Sequence, residues 1–304
     1  MKALIFGGTG FIGQELTCEL LSHDYEVCVV TRSKSRSQEK VIKGVELMEW
    51  DGDTPLSQLD NLQKFDVVVN LAGESIANGR WIESVKQKIL HSRVEVTRAI
   101  VEAILSRALT PKVLISGSAI GYYGAHGDEI LTEEAVAGED FLASVCKQWE
   151  EQAYRGQNEL TRVVVIRTGV VLGTQGALTR MVKPFKAHMG GSVGSGTQLL
   201  SWVHVKDVVG MIRFSIENTH IIGAVNATAP EPTQMKAFAN CIGTVLSSPS
   251  WLAVPEFMIK LALGEMSEIV LKGQRVIPEK MLQNGYKFKF PELKSALEDI
   301  LLKK

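Results

Sequence analysis

Four cysteines in 304 residues, Cys18, Cys28, Cys146 and Cys241, are too few and too scattered to build a disulfide framework. None stands in a C-x-x-C pair, and no Cys/His cluster has the spacing of metal ligands, which excludes a structural zinc module. Cys18 and Cys28 fall within apolar segments and are expected as small core residues. A reducing cytosol is the simplest compartment for such a chain. Long apolar runs are also missing: no stretch approaches the roughly 20 residues that span a bilayer. The opening MKALIFGGTGFIG is too short and too glycine-punctuated for a signal peptide, so it reads as a buried strand entering a turn. Charge of one sign is lacking as well. Lys and Arg total 33 against 34 Asp and Glu, a formal net charge of −1 that supplies no global field for nucleic acid. The basic stretch at 34–43 is too short to change that.

What is present is apolar sequence, 45% of the residues, enough for a large core. In the first half, short apolar runs alternate with helical patterns. Strands are expected at Ala3–Phe6, Glu26–Thr31, Gly44–Trp50, Phe65–Leu71, Lys112–Ser116 and Arg162–Leu172, with a long helix near Ile82–Arg107. Continuous apolar strands separated by helices predict a doubly wound parallel α/β sheet of Rossmann type. After Gly173 the pattern loosens. The glycine-rich tract HMGGSVGSGTQ reads as a mobile loop. Trp202–Ile216 reads as a strand and helix returning to the main sheet. From Asn226 onward the chain reads as mostly helical, with prolines at 230, 232, 249, 255, 278 and 291 as punctuation. The expected division is a cofactor domain of residues 1–172 plus 203–220. A smaller, mostly helical substrate lobe takes 173–202 plus 221–304.

The segment GGTGFIG places Gly7, Gly10 and Gly13 between a strand and a helix. Gly7 allows the tight turn, Gly10 lets the backbone approach a pyrophosphate, and Gly13 lets the helix pack closely. The helix opening offers free N–H groups and a positive dipole end to that anion. Thr9 can add a hydroxyl, and Phe11 and Ile12 complete the turn. At the end of the second strand, a protein choosing NAD carries an acid for the ribose 2′-hydroxyl. Here the residue is Arg32, followed by Ser33, Lys34 and Arg36. A guanidinium matches phosphate oxygens in a fork, so NADP(H) is the expected cofactor. A plain solvated basic loop is the competing reading.

These segments resemble the extended short-chain dehydrogenase/reductase superfamily. The likeness rests on GGTGFIG at 7–13, NLAG at 70–73, SGSAIGYYG at 116–124, RTGVVLG at 167–173 and WVHVKDVV at 202–209. More narrowly, RWIESVKQKILHSRVEVT at 80–97, VCKQWEEQA at 145–153 and the C-terminal PEPTQ to PELKSAL segment resemble the YfcH-type epimerase family. The resemblance covers nearly the whole chain. It implies that Asn70, Leu71, Ala72 and Gly73 line the cofactor and that Asp51 lies near the adenine edge. Small residues at a crowded sheet edge would look the same.

The superfamily reacts through Ser, Tyr and Lys, with hydride passing to or from the cofactor. By resemblance Ser118 is the serine and Lys147 the lysine beside the nicotinamide. The tyrosine of Y-x-x-x-K should stand at 143, where this chain has Ala143. Tyr122 or Tyr123 could supply a phenol instead, though a tyrosine after a strand is commonly a packing residue. Lys147 could equally belong to a solvated face beside Glu150 and Glu151. Arg93 stands where relatives carry asparagine near the cofactor. With Arg80 it could receive a carboxylate or phosphate of the substrate, or it could pair with Glu95 and Glu102 on its own helix. His204 is expected as a core residue and Asp207 as a cap or loop-orienting group. The 272–281 segment either closes over the site or only packs.

Two functions follow. One is an NADP(H)-dependent oxidoreductase or epimerase acting on a small carbonyl or sugar-nucleotide substrate, as a monomer or homodimer. The other is a sensor or regulatory protein that holds NADPH with little turnover, for which Ala143 is the argument.

Overall fold

The computed structural model describes residues 1–38, 41–77 and 79–302. Its strands are β1 Lys2–Phe6, β2 Glu26–Thr31, β3 Glu46–Glu49, β4 Val67–Asn70, β5 Val113–Ala119, β6 Ile130–Leu131, β7 Arg162–Thr168, β8 Val170–Leu172, β9 Leu199–Leu200, β10 Trp202–His204, β11 Gly223–Ala227, β12 Thr233–Gln234 and β13 Arg275–Val276. The helices are α1 Phe11–Leu21, α2 Lys34–Ser37, α3 Glu83–Leu105, α4 Phe141–Tyr154, α5 Ala177–Lys186, α6 Val205–Glu217, α7 Met235–Val245, α8 Glu256–Leu263, α9 Ser267–Leu271, α10 Glu279–Gln283 and α11 Leu293–Leu301.

Seven strands form one sheet in the order β11-β7-β5-β4-β1-β2-β3, and every neighbouring pair is parallel. The period of two along each strand sorts the side chains between two cores. Ala3, Ile5, Val27, Val29, Val67, Val69, Ile115 and Val164 face Leu16 and Leu20 of α1 and Val208 and Ile212 of α6. Leu4, Phe6, Cys28, Val68, Leu114 and Val165 face Ile100 and Ile104 of α3 and Ala153 of α4. Both faces are covered, which is why the strands read as unbroken apolar runs. Each fully buried aliphatic side chain contributes about 1.5–3 kcal/mol.

A third core, built on Leu172, Leu178, Phe185, Trp202, Phe238 and Leu297, joins α5, α7 and α11 to the end of β8. The C-terminal region is bound to the sheet half by buried polar groups. Asp207 accepts from the backbone N–H of Lys289 at 2.7 Å and of Phe290 at 2.9 Å, and from the Tyr286 hydroxyl. Burial pushes its carboxyl above the usual range, while those bonds pull it back. His204 accepts the Lys206 N–H through Nδ1, stacks on Phe290 and lies 3.3 Å from Asp299.

Several expectations change here. Strand β11, beyond residue 220, belongs to the main sheet and carries it to Ala227. The expected strand Arg162–Leu172 breaks at Gly169 into β7 and β8. β10 pairs with β8 rather than with the main sheet, and only α6 returns to it. Cys28 is buried as expected, but Cys18 lies on the exposed side of α1. The glycine tract is packed rather than loose. Leu252 N–H donates to Gly190 O, Val193 bridges Val254, and a side chain on Gly191 would collide with the Leu252 carbonyl.

Candidate functional site

The turn between β1 and α1 leaves space for an anion and none for side chains. Gly7 has φ +78, and a Cβ there would lie 2.6 Å from the Leu71 carbonyl carbon. A Cβ on Gly13 would lie 2.3 Å from Gly7 O. Above Gly10 the space is open, with Gly7 O as the nearest atom at 3.3 Å. Gly8, which the motif reading passed over, is fixed by Val29, 2.6 Å from where its Cβ would be. α1 carries no side-chain cap, so its opening N–H groups are offered outward. The residues present fit a dinucleotide diphosphate. Thr9 is half-buried, and its carbonyl accepts from the Gln14 amide. Phe11 packs its ring where Gly173 and Gly176 leave room, and Ile12 packs against the first core.

Beside this turn, Leu71 N–H is held by Phe6 O, and Ala72 N–H donates to Asn70 Oδ1 at 3.1 Å. The Asn70 amide donates to Thr97 at 2.9 Å, so this fully buried side chain ties the strand end to α3. Arg32 is exposed at the end of β2, and Ser33 begins α2, its hydroxyl 3.1 Å from that of Ser35. Asp51 closes its own turn, accepting from Asp53 N, Thr54 N and Thr54 Oγ1. Those bonds, Thr54 first, hold its carboxyl below the usual range.

The row beside Ser118 differs from the one expected. Ser118, the last residue but one of β5, is buried, and the side of α4 packed along this stretch carries, one helical turn apart, Glu150 bonded to Ser118, Cys146 donating to the Ala119 carbonyl and Leu142 against Gly121. Lys147 stands about 100° round the helix from Cys146. It is exposed and lines a shallow cavity of about 410 Å³ with Glu139, Ser144, Gln148 and Glu151. The expected lysine is therefore on the outer face, away from Ser118. Ala143 is fully buried in the helix packing, and Leu142 occupies the row one turn before Cys146. Burial pushes the Cys146 thiol up to about 11, so it stays protonated at neutral pH.

Ser118 Oγ donates to Glu150 Oε1 at 2.7 Å, and Arg167 grips both Glu150 oxygens, Nε to Oε1 at 2.9 Å and Nη2 to Oε2 at 2.8 Å. A carboxylate held this way only accepts, so the shared proton is the serine's and Ser118 has lone pairs left to offer. Arg167 Nη1 also donates to Tyr123 Oη at 3.0 Å and to Glu133 O at 3.1 Å. Burial opposes the Arg167 charge, but Glu150 outweighs it and holds the guanidinium strongly protonated. Tyr123 is fully buried and donates to Asn226 Oδ1 at 2.6 Å. Burial pushes its phenol up to about 12. It is a network residue, committed at both hydrogen-bonding positions, and not a free proton donor. Tyr122 is half-buried with the Arg167 guanidinium 3.5 Å from its ring centroid. Sequence reasoning missed Cys146, Glu150 and Arg167.

The two expected cations separate. Arg80 donates to the Leu261 and Ala262 carbonyls at the end of α8, so it clips the C-terminal region and does not join Arg93. Arg93 lies against Gly73 and over the Trp149 ring. Glu95 and Glu102 are taken by Arg98. The 272–281 segment pairs through β13 with β6, and Asn226 donates to Ile277 O beneath it.

A doubly wound parallel sheet with an open glycine turn at the first strand defines a dinucleotide-binding protein of the Rossmann class. Comparison with known proteins narrows this. The model of the NAD dependent epimerase/dehydratase family matches residues 3–226, and a domain of unknown function, DUF1731, matches 254–300. The chain belongs to the NAD dependent epimerase/dehydratase family. It is 40% identical over 302 residues to the epimerase family protein YfhF of Bacillus subtilis, covering 99% of this chain and 98% of that protein. It is 36% identical over 306 residues to the mouse epimerase family protein SDR39U1, covering 99% and 100%. The crystal structure of human SDR39U1 with NADPH superposes with a TM-score of 0.89 at 33% identity, covering 100% of both chains. A UDP-glucuronic acid 4-epimerase from Bacillus cereus, at 18% identity and TM-score 0.77, covering 98% and 97%, shares the fold. Human SDR39U1 was crystallised with NADPH, and the Bacillus cereus epimerase with UDP-glucuronic acid and NAD.

Proposed function

We propose that the protein is an NADP(H)-dependent oxidoreductase of a small molecule held between the sheet half and the C-terminal region, working without the Tyr/Lys pair. The observation that carries this reading is the α4 row of Leu142, Cys146 and Glu150 along the stretch that follows β5, with Glu150 bonded to Ser118. Gly7, Gly10 and Gly13 would cradle the diphosphate and Arg32 the 2′-phosphate, with Leu71 to Gly73 along the dinucleotide. Bound there, the reduced nicotinamide supplies a hydride. Ser118, its own proton held by Glu150, would accept a hydrogen bond from the ligand and orient it. With neither phenol nor lysine in the row, the proton that accompanies hydride comes from solvent or from the ligand itself, which predicts slow turnover. The same row favours a second reading, a protein that holds NADPH and a ligand without turnover.

One assay separates them. The purified chain is incubated with NADPH and a panel of aldehydes, ketones and sugar nucleotides, and absorbance at the reduced-cofactor band is followed. Oxidation that Ser118→Ala reduces and Lys147→Ala leaves at the wild-type rate supports the enzyme. Tight NADPH binding with no oxidation across the panel supports the second reading.

A further inference from the structure

Half-buried in α3, Arg93 makes one hydrogen bond among the described residues, from Nη1 to the Ile89 carbonyl of its own helix at 2.9 Å. No carboxylate of the described residues lies within ion-pairing distance of it. Its charged neighbour Glu74 acts only at longer range, and the Cys146 thiol beside it carries no charge at neutral pH. A guanidinium has five N–H donors, and a cation withdrawn from water normally has a partner. Arg162 shows how this fold satisfies an arginine that lacks an acid: it donates three times to the carbonyls of Ser215, Ile216 and Ile221. Arg93 has no such set. Its position is also specific. A Cβ on Gly73 would lie 3.1 Å from its Cζ, and the Trp149 ring centroid is 5.3 Å from the guanidinium. Trp149 in turn fills the space left by Gly117, one residue before Ser118. Glycines at 73 and 117 thus let one cation and one indole into the wall between the dinucleotide loop and the Ser118 row.

The geometry points to Arg93 as the receiver of an anionic group, a phosphate or a carboxylate, on the ligand bound in this cleft. This rests on the cleft being the ligand site proposed above. The anion has two available sources, the diphosphate of the dinucleotide and an acidic group on the second ligand.

The test uses the full chain, wild type and Arg93→Met, which keeps the aliphatic stem over Trp149 and removes the charge. NADPH affinity is measured by calorimetry. The NADPH-loaded protein is then titrated with malonate and with neutral malonamide, followed by tryptophan fluorescence and melting temperature. If the dinucleotide supplies the anion, Arg93→Met weakens NADPH binding roughly 10- to 100-fold. If the second ligand supplies it, NADPH affinity is unchanged. Malonate, but not malonamide, then binds saturably and raises the melting temperature of the wild type, and both effects vanish in Arg93→Met. Either result supports the proposal. Unchanged NADPH affinity together with no malonate effect in the wild type overturns it. So does an Arg93→Met protein that melts lower while keeping both binding properties, because Arg93 would then be a packing residue. None of these readouts depends on turnover, so a failed turnover assay leaves the result interpretable.

Discussion

Removing Arg167 tests whether the Ser118 row is held by the network beneath it. The side chain makes four hydrogen bonds, two to Glu150, one to Tyr123 and one to the Glu133 carbonyl. Arg167→Met leaves the Glu150 carboxylate, only 3% exposed, with Ser118 as its single remaining side-chain donor. Stranding a buried charge in this way costs about 3–5 kcal/mol. For a chain of this size each kcal/mol lowers the melting temperature by roughly 2 °C, so a drop of about 6–10 °C is expected. The double variant Glu150→Leu/Arg167→Met removes the stranded charge. It forfeits the bonds to Ser118 and Tyr123, each about 1–3 kcal/mol if left unsatisfied, but it should be more stable than Arg167→Met alone by at least about 1 kcal/mol. Urea unfolding followed by circular dichroism measures all four proteins of the cycle. Simple additivity of the two single changes, or a loss below about 1 kcal/mol for Arg167→Met, would show that Glu150 is solvated and that the fixed polarity of Ser118 is wrong.

Arg32→Ala should weaken NADPH binding roughly 10-fold or more and leave NADH nearly unaffected, since only the former carries the 2′-phosphate; equal affinities in the wild type would refute the assignment. Gly13→Ala places a carbon 2.3 Å from Gly7 O, so the turn must open. The expected result is loss of measurable NADPH binding in calorimetry and about 1–3 kcal/mol of stability. Burial raises the phenols of Tyr25 and Tyr123 to about 12, and those of Tyr154 and Tyr286 rise as well. The unfolded chain ionises these groups near pH 10 while the folded one holds their protons, so their contribution is complete below about pH 10 and is lost as pH climbs through the folded values. Ultraviolet titration should therefore show these four silent at pH 11 until a cooperative alkaline transition releases them together.

The cofactor half was legible because its signals are local and periodic. Apolar runs of strand length, glycines at fixed offsets and Arg32 at a strand end each follow from near neighbours in sequence. The row beside Ser118 was not legible by the same route. A fixed four-residue spacing put the reactive pair at 143 and 147, yet the helix itself held the correction. Val145, Trp149, Ala153 and Ala143 span its buried apolar arc, and Cys146 and Glu150 fall inside that arc while Lys147 falls outside it. Reading α4 as a wheel would have turned Lys147 outward. Arg167 was hidden for another reason. A buried charge near the end of an apolar strand is explained only by a partner, and its partner lies 17 residues away on the neighbouring helix. The pairing of the glycine tract with 252–254 joins segments about 60 residues apart, beyond the reach of any local pattern.

The buried polar network also ties the site to the C-terminal region. From Ser118 it passes through Glu150 and Arg167 to Tyr123, then through Asn226 to the Ile277 carbonyl. A second branch runs from the Glu133 carboxylate to the backbone N–H of Asn226 and Lys280. The links from Ser118 to Asn226 are buried, where a missing partner costs more than it would at the surface. Moving the 275–280 segment breaks the bonds to Asn226 and Glu133, the far end of the network that begins at Ser118. The positions of Ser118 and of the residues that follow β13 are thus set together, and a variant that loosens one should be visible at the other.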